Sequence, residues 1–292
     1  MDFKATLKEY QERVEASIAS LVPNTKTRPA VLHEAMRYSL DAGGKRLRPC
    51  LVLAAHALFE SKNDPMPAAV SIECMHTYSL IHDDLPCMDD SDLRRGKPSC
   101  HKQFDEETAL LAGDALLTYS LWMLAHNYRE TPKLANDLVC ELGKASGSEH
   151  LIGGQMEDLL GERATPTVES LDFIHLNKTA ALITCSLVMG LRLADASDEK
   201  VELIRNAGRH LGLAFQIIDD ILDETSDAET MGKPVGADEE NKKMTYPSLY
   251  GLEKSRKKAQ EHTAEAIRYF DEIGGNNTLL IELAKYMEQR IH

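Results

Sequence analysis

The chain has 292 residues, of which 43% are hydrophobic and 27% charged, and its formal net charge at pH 7 is −14. The length allows one large domain or two average ones, and the hydrophobic share supports a sizeable core. The negative charge argues against a nucleic acid as the main partner. The six cysteines include no Cys-x-x-Cys pair, so neither a zinc site nor a disulfide framework is expected. Reduced thiols are typical of a cytoplasmic protein.

Helical periodicity runs through most of the chain. Apolar residues recur at three- and four-residue spacing, as at Leu47, Leu51 and Leu58, and this is the period of one helix face. Proline- and glycine-containing stretches separate the periodic segments, and no low-complexity linker divides them. The sequence therefore predicts one all-α domain over residues 1–292. The longest apolar run, Ala180–Leu191, is shorter than the roughly 20 residues of a membrane helix, so no membrane span is expected.

The first cluster of cations follows a pair of glycines in the segment Gly43–Pro49. Glycine lets the backbone approach a ligand closely. Arg binds phosphate oxygens through two parallel hydrogen bonds, whereas Lys acts as a point charge. The segment is either a solvated loop or part of an anion site, and its pattern leaves both interpretations open.

The first acidic motif, Asp83–Asp90, follows an apolar stretch and contains four aspartates, and Arg94 and Arg95 come shortly after it. Buried aspartates are rare unless they are paired or bind a metal. Mg²⁺ is usually held by carboxylates, waters and substrate phosphates together, and arginines suit the same phosphates. The motif predicts a magnesium-dependent site for a diphosphate.

The second acidic motif, Asp219–Asp223, ends a stretch from Leu211 that is apolar on nearly every side. A helix of that kind is central and buried. Asp219 and Asp223 lie four residues apart and therefore share one helix face. Earlier in the chain, Lys178 begins another apolar helix, where it is either a surface lysine or a phosphate ligand.

In combination these segments resemble the trans-isoprenyl diphosphate synthases, and within that family the bacterial short-chain branch that makes farnesyl diphosphate. The likeness rests on Gly43–Pro49, Asp83–Gly96 and Phe215–Asp223, and it continues to Lys243–Pro247. It implies an all-α, single-domain helical bundle with a deep central cavity, present as a homodimer in the cytoplasm.

The resemblance also implies an activity. Isopentenyl diphosphate condenses head-to-tail with dimethylallyl and geranyl diphosphate to give farnesyl diphosphate, and diphosphate is released. The expected cofactor is Mg²⁺, with three ions per active site and Mn²⁺ as a substitute. No nucleic acid is expected to take part.

The same resemblance implies roles for individual residues. The Mg²⁺ ligands are Asp83, Asp89 and Asp219, and further ligands or their neighbours are Asp84, Asp90, Asp220 and Asp223. The allylic diphosphate is held by Arg94, Lys178, Lys233 and Lys243. Isopentenyl diphosphate, which binds without metal, is held by Lys45, Arg48, His76 and Arg95. The developing carbocation is lined by Thr179 and Gln216. The expected catalytic set is Asp83, Asp84, Asp89, Arg94, Lys178, Thr179, Gln216 and Asp219.

Product length is expected to depend on the residues below Asp83. Tyr78 lies five residues earlier, about 7.5 Å along a helix. Its ring is therefore expected to form the floor of the cavity that holds the growing product, whereas the Ser79 side chain is too small to do so. In the resembling family an aromatic residue here, with two extra residues in the first motif, accompanies a fifteen-carbon product. The alternative for Tyr78 is ordinary core packing. We also expect the loop Met231–Lys243 to close over the filled site, and Arg290 offers a looser match for a closing residue.

Other functions fit the sequence less well. A geranylgeranyl or geranyl diphosphate synthase of the same family differs only in product length. A terpene cyclase uses a second motif of the Asn/Ser/Glu type, which Asp219–Asp223 does not match. A non-catalytic partner subunit is expected to have lost acidic ligands, and none is missing. A calcium-binding helical protein leaves the arginine clusters unexplained, and EF-hand spacing is absent.

Overall fold

The structure is a computed structural model that describes residues 3–161, 167–225 and 244–289. The described residues are almost entirely helical, which confirms the predicted all-α fold. The chain divides into two compact units, one of Met1–Leu53 with Asp64–Val139 and one of Ala54–Asn63 with Cys140–His292.

The first unit is built around two long helices. Its elements are α1 (Phe3–Leu21), α2 (Ala30–Leu40), most of α3 (Leu47–His56), α4 (Met66–Asp83), α5 (Cys100–Gln103), α6 (Glu106–Asn127) and the first half of α7 (Pro132–Ser146). The apolar helix α4 is buried along most of its length and packs mainly on α6. Helix α6 begins after Asp105, whose carboxylate accepts a hydrogen bond from the Thr108 backbone N–H at 2.6 Å, as an N-cap does.

A short hairpin follows the first acidic motif. Strands β1 (Leu93–Arg94) and β2 (Lys97–Pro98) pair in antiparallel register. Arg95 and Gly96 between them have φ of 54° and 74°, the pair of positive values that a type I′ hairpin turn requires. The turn fixes the backbone directions of Arg94 and Arg95 directly after the aspartates.

The second unit has one central helix. Its elements are the end of α7, α8 (Leu151–Gly161), α9 (Val168–Ile174), the π-helical segment π1 (His175–Ala180), α10 (Ala181–Leu193), α11 (Asp198–Thr225), α12 (Tyr246–Tyr250), α13 (Leu252–Ile273) and α14 (Thr278–Glu288). Helix α11 packs on α13 and α10. Its residues Ile217, Ile218 and Ile221 are fully buried, which confirms that the second acidic motif belongs to a buried helix.

The segment π1 is a local departure from α-helical geometry. Single π-helical turns are uncommon and often lie at functional sites. Helix α8 approaches this segment closely at Gly154, where an added Cβ atom would lie 2.3 Å from the backbone nitrogen of Lys178. Only glycine fits there, so Gly154 sets the distance between α8 and the lysine.

Two apolar helical stretches meet the length and composition of a membrane span, Glu106–Asn127 and Val168–Leu193. The second is 72% buried inside the protein, as a core helix is. One or two such helices are weak evidence for a membrane protein, because core helices of soluble proteins have the same composition. The first is only 39% buried, so much of its apolar surface faces outwards.

Candidate active site

The glycine-rich segment before α3 separates its cations into different environments. Gly43 and Gly44 have φ of 82° and 120°, in the region that favours glycine. Arg46 turns inwards and pairs with Glu73 at 2.6 Å and with Glu15 at 2.7 Å. Arg46 therefore has a structural role. Lys45 stays exposed, and its backbone carbonyl accepts a hydrogen bond from the Gln11 side-chain amide at 2.8 Å.

Three of the four residues predicted to hold isopentenyl diphosphate lie near one another. The pKa of His76 is held well below its usual value by burial and by the charges of Arg48 and Arg95. Burial lowers the pKa of Arg48 to about 10; the charge of Glu73 opposes that shift and the charge of Arg95 adds to it. The Nε atom of Arg48 is buried without a hydrogen-bond partner. A neutral histidine between two arginines, one with an unsatisfied donor, is an environment that favours an anion.

Arg95 is fixed against the glycine segment. Its guanidinium donates a short hydrogen bond to the Gly43 carbonyl. A Cβ atom added to Gly44 would lie 2.7 Å from the guanidinium carbon, so a side chain there would displace it. The two glycines thus allow an arginine from the hairpin to lie directly on the backbone before α3.

The first acidic motif forms a compact group with Arg94. Asp84 is 2% exposed, and its two carboxylate oxygens share the single Arg94 Nε–H, each 3.1 Å from the nitrogen. A terminal nitrogen of the Arg94 guanidinium also donates to one of these oxygens. Burial raises the pKa of Asp84, and the bonds from Arg94 act against that rise. The charges of Asp83 and Asp89 also act on the Arg94 guanidinium. One arginine is therefore surrounded by three carboxylates.

The donor set of both motifs suits magnesium. Within the part of the chain that the structure describes, no three His, Cys, Asp or Glu side chains form a metal site by themselves. Mg²⁺ often takes only one or two carboxylates and completes its shell with water and substrate phosphate. Asp83 and Asp89 are half-buried and are joined by a backbone hydrogen bond of 2.9 Å. They fit such an ion, and so does the half-buried Asp219.

Tyr78 lies below this group on the same helix. Its side chain is 4% exposed, and its ring contacts the ring of His82 edge-on, with 5.6 Å between centroids. Burial raises the pKa of Tyr78 to about 12, and the nearby charge of Asp83 contributes to the rise. The Ser79 hydroxyl instead donates back to the His76 carbonyl at 2.9 Å. Of the two chain-length candidates, Tyr78 is the one with a large side chain near Asp83.

In the second unit, several predicted residues line one cavity of about 140 Å³. Its lining includes Asp158, His175, Lys178, Thr179, Gln216, Asp219 and Asp220. The Lys178 ammonium is 2.5 Å from an oxygen of Asp158. The acid therefore holds the lysine in one place within the cavity wall, and its role as a phosphate ligand stays a prediction.

A chain of hydrogen bonds crosses this cavity wall. The Thr179 hydroxyl donates to the Gln216 carbonyl oxygen at 2.8 Å, and the Gln216 amide donates to Asp220 at 2.9 Å. The other oxygen of Asp220 accepts from the Tyr246 backbone N–H at 3.0 Å. Both oxygens of Asp220 are thus engaged by protein donors. Asp223, one turn beyond Asp219, is 3% exposed.

Several predictions fall on residues outside the described ranges. These are the phosphate ligands Lys233 and Lys243, the closing loop Met231–Lys243 and the closing residue Arg290. Their roles stay predictions.

Sequence reasoning missed two residues of this site. Asp158 holds Lys178 from twenty positions earlier, and Tyr246 holds Asp220 from twenty-six positions later. A signal for the first was present, since Asp158 follows Gly153 and Gly154 in a short helical segment. Tyr246 lies in the resembling segment Lys243–Pro247, but a lone tyrosine before a proline is ordinary at a helix start, and its contact with Asp220 was not predicted.

Comparison with known proteins agrees with this geometry. The polyprenyl synthetase family model matches residues 29–274. Farnesyl diphosphate synthase of Bacillus subtilis is 46% identical over 267 residues, covering 90% of each chain. Geranylgeranyl pyrophosphate synthase of Catharanthus roseus is 43% identical over 296 residues, which is 99% of this chain and 82% of the relative. Relatives of similar identity therefore carry different product names.

Solved structures give the same result. A farnesyl/geranylfarnesyl diphosphate synthase from Zymomonas mobilis superposes with a TM-score of 0.85 at 35% identity, over 98% of this chain and 99% of the other. A geranyltransferase from Helicobacter pylori, complexed with magnesium and isoprenyl diphosphate, has a TM-score of 0.85 at 35% identity, over 99% and 97%. The predicted resemblance is confirmed, as is a short-chain prenyl diphosphate synthase activity. The chain belongs to the polyprenyl synthetase family and is a prenyltransferase.

Proposed function

We propose that the enzyme makes farnesyl diphosphate by two Mg²⁺-dependent condensations of isopentenyl diphosphate, first with dimethylallyl and then with geranyl diphosphate. The observation that carries this proposal is the buried ring of Tyr78, five residues before Asp83 on α4. A large ring at that depth limits the space below the diphosphate. The farnesyl diphosphate synthase of B. subtilis, named for this product, supports the same length.

The proposed chemistry begins with the loss of diphosphate from the allylic substrate. When bound, Mg²⁺ neutralises the charge that grows on the leaving diphosphate. We assign Asp83, Asp89 and Asp219 to the ions. We also assign Arg94 and Lys178 to the allylic diphosphate; Arg94 is held in place by Asp84 in the first unit, and Lys178 by Asp158 in the second. Such preorganised charge stabilises the transition state without rearrangement during the reaction.

The second substrate then attacks the allylic cation. Lys45, Arg48, His76 and Arg95 are proposed to hold the diphosphate of isopentenyl diphosphate. The buried, unsatisfied Nε of Arg48 supports this role. Thr179 and Gln216 present oxygen atoms at the wall of the second unit's cavity, where partial negative charge favours a cation. The adduct cation finally loses a proton to the released diphosphate, and the electron pair of the broken C–H bond forms the new double bond.

A twenty-carbon product is the second candidate. Several relatives at 42–46% identity are named geranylgeranyl pyrophosphate synthases. Incubation of the purified enzyme with isopentenyl and dimethylallyl diphosphates and Mg²⁺ separates the candidates. Chromatography of the dephosphorylated products is expected to give mainly the fifteen-carbon alcohol. A dominant twenty-carbon alcohol establishes the second candidate, and the absence of any condensation product contradicts both.

We further propose a homodimer, with the whole chain acting as one domain in the cytoplasm. None of the six cysteines, all in described segments, forms a disulfide, and four of them are buried. Helix α6 supports the dimer because it is apolar yet leaves Leu110, Leu111 and Trp122 about half exposed. An exposed apolar face of this kind marks a protein interface.

The dimer is tested by the mass of the protein in solution. We expect Leu111→Glu to convert a dimer to monomers in sedimentation or light scattering, because it places a charge on the apolar face. Val31→Glu, at an equally exposed apolar residue of α2, is the matched control and is expected to stay dimeric. A wild-type monomer, or a dimeric Leu111→Glu variant, contradicts the proposed interface.

A further inference from the structure

We propose that Tyr246 is a positioning residue for the cation-facing pair Thr179 and Gln216, acting through Asp220. The inference rests on the proposed function, since it concerns the same reaction. It also gives Asp220 a different role from metal binding. The residues involved belong to the second unit and contact one another directly.

The first step concerns the orientation of the Gln216 amide. A carboxylate only accepts hydrogen bonds. Because Asp220 lies 2.9 Å from the Gln216 nitrogen, the amide must direct its NH₂ group to Asp220 and its oxygen to Thr179. The Thr179 hydroxyl donates to that oxygen, so its own lone pairs remain for the cavity. Asp220 thereby makes the wall a surface of acceptors, which is the polarity that a carbocation needs.

The second step concerns what holds Asp220. Its second oxygen accepts the Tyr246 backbone N–H at 3.0 Å and lies 3.6 Å from His175. The His175 nitrogen therefore lies beyond ordinary hydrogen-bond distance of this oxygen. The Tyr246 backbone N–H thus holds this oxygen by a direct hydrogen bond.

The third step concerns Tyr246 itself. Its side chain is 2% exposed, and its hydroxyl donates to Asp172 at 2.6 Å. Its ring stacks on His175, with centroids 5.2 Å apart. Both contacts fix the residue at the start of α12, where the Thr245 cap orients the same backbone. Removing the hydroxyl is therefore expected to loosen the N–H that holds Asp220.

The experiment compares Tyr246→Phe with Tyr250→Phe. Tyr250 lies on the same short helix, and its ring stacks on that of Tyr246 with centroids 5.5 Å apart. Its hydroxyl does not take part in the series of hydrogen bonds from Asp172 to Thr179. We expect Tyr246→Phe to lower kcat about fivefold to tenfold, as loss of one hydrogen bond to a charged group allows. The KM values for both diphosphates are expected to change less than twofold. Tyr250→Phe is expected to match the wild type.

A double-variant cycle separates positioning from a general structural role. If Tyr246 acts through Gln216, Tyr246→Phe has no further effect on kcat when Gln216 is already alanine. An equal fold loss in both backgrounds overturns the inference. Asp172→Ala removes the acceptor of the same hydrogen bond, and it is expected to reproduce the loss. It also keeps the test available if Tyr246→Phe fails to fold.

The role of Asp220 is tested by metal binding as well as by activity. Asp220→Asn places an amide where an acceptor is needed, and it is expected to lower kcat about tenfold. Calorimetric titration of Mg²⁺ with an unreactive allylic thiodiphosphate is expected to give the wild-type affinity. A tenfold weaker Mg²⁺ affinity identifies Asp220 as a ligand and overturns the positioning role.

A wild-type enzyme without condensation activity refutes the proposed function. An active wild type whose kcat is unaffected by Tyr246→Phe refutes only this inference.

Discussion

Arg94 binds the buried carboxylate of Asp84 through its Nε atom, which lies 3.1 Å from both carboxylate oxygens. The pair anchors the hairpin to the first acidic motif. It also distinguishes the aspartates from one another, because Asp84 is buried against an arginine whereas Asp83 and Asp89 are half-buried. The difference predicts unequal consequences of removing them.

Asp83→Ala and Asp219→Ala are each expected to lower turnover about 100-fold or more, because each removes a carboxylate that we assign to the Mg²⁺ ions. Raising the Mg²⁺ concentration is expected to restore part of the loss. Steady-state kinetics across a Mg²⁺ series checks this. Exposed Asp114→Ala on α6 serves as a control for loss of one negative charge. Near-normal turnover in either site variant rules out the proposed ligand set.

Arg48→Ala and Lys45→Ala are expected to raise the KM for isopentenyl diphosphate more than the KM for the allylic substrate. A lost hydrogen bond to a charged group costs about 1.5–3 kcal/mol, or roughly 10- to 150-fold. Initial rates with each substrate varied in turn provide the measurement. Lys8→Ala, at an exposed lysine of α1, is expected to change neither value. Equal effects on both substrates mean that the two diphosphate sites are assigned wrongly.

A pair of histidines between α11 and α13 predicts a dependence of stability on pH. The Nδ1 atoms of His210 and His262 lie 2.9 Å apart, so one donates and the other accepts. Burial lowers the pKa of both; the charge of Glu265 opposes that shift at His210, and the charge of His210 adds to it at His262. Unfolded histidine has a pKa near 6.5, so the unfolded state binds more protons as pH falls below that value. The folded state is therefore expected to lose stability in that range.

The histidine pair is tested by urea unfolding at pH 7.5 and at pH 5.5. The wild type is expected to lose more of its free energy of unfolding between these values than the double variant His210→Asn/His262→Asn. Other titrating groups are common to both proteins and cancel in the comparison. An equal loss in both proteins contradicts the contribution of this pair.

The sequence predicted the elements of the site better than its contacts. Helical periodicity and the apolar run before Asp219 were sufficient for the all-α fold and for the buried helix α11, since both are local properties. The segment Gly43–Pro49 showed three cations but not which one turns inwards. That choice depends on Glu73, which pairs with Arg46 from a different helix.

Long-range partners account for most of what sequence reasoning missed. Asp158 of α8 pairs with Lys178 of π1, and neither the π-helical geometry nor the approach at Gly154 follows from residue spacing. Asp220 is predicted to be a metal ligand or a neighbour of one, and the sequence did not show that its two oxygens accept hydrogen bonds from Gln216 and Tyr246. The hydrogen bond to Tyr246 joins residues twenty-six positions apart, so only the tertiary structure shows it.

The account depends most on Tyr78 as the floor that limits product length, and the product distribution of Tyr78→Ala tests it most directly. Tyr78→Phe keeps the ring and Ser79→Ala changes only the neighbour, so both are expected to give the wild-type product. With Tyr78→Ala we expect the first condensation to continue and the products to shift from fifteen to twenty or more carbons. If the ring is only core packing, the same change costs about 3–5 kcal/mol of stability without lengthening the product. A folded Tyr78→Ala enzyme that still makes fifteen carbons contradicts the account.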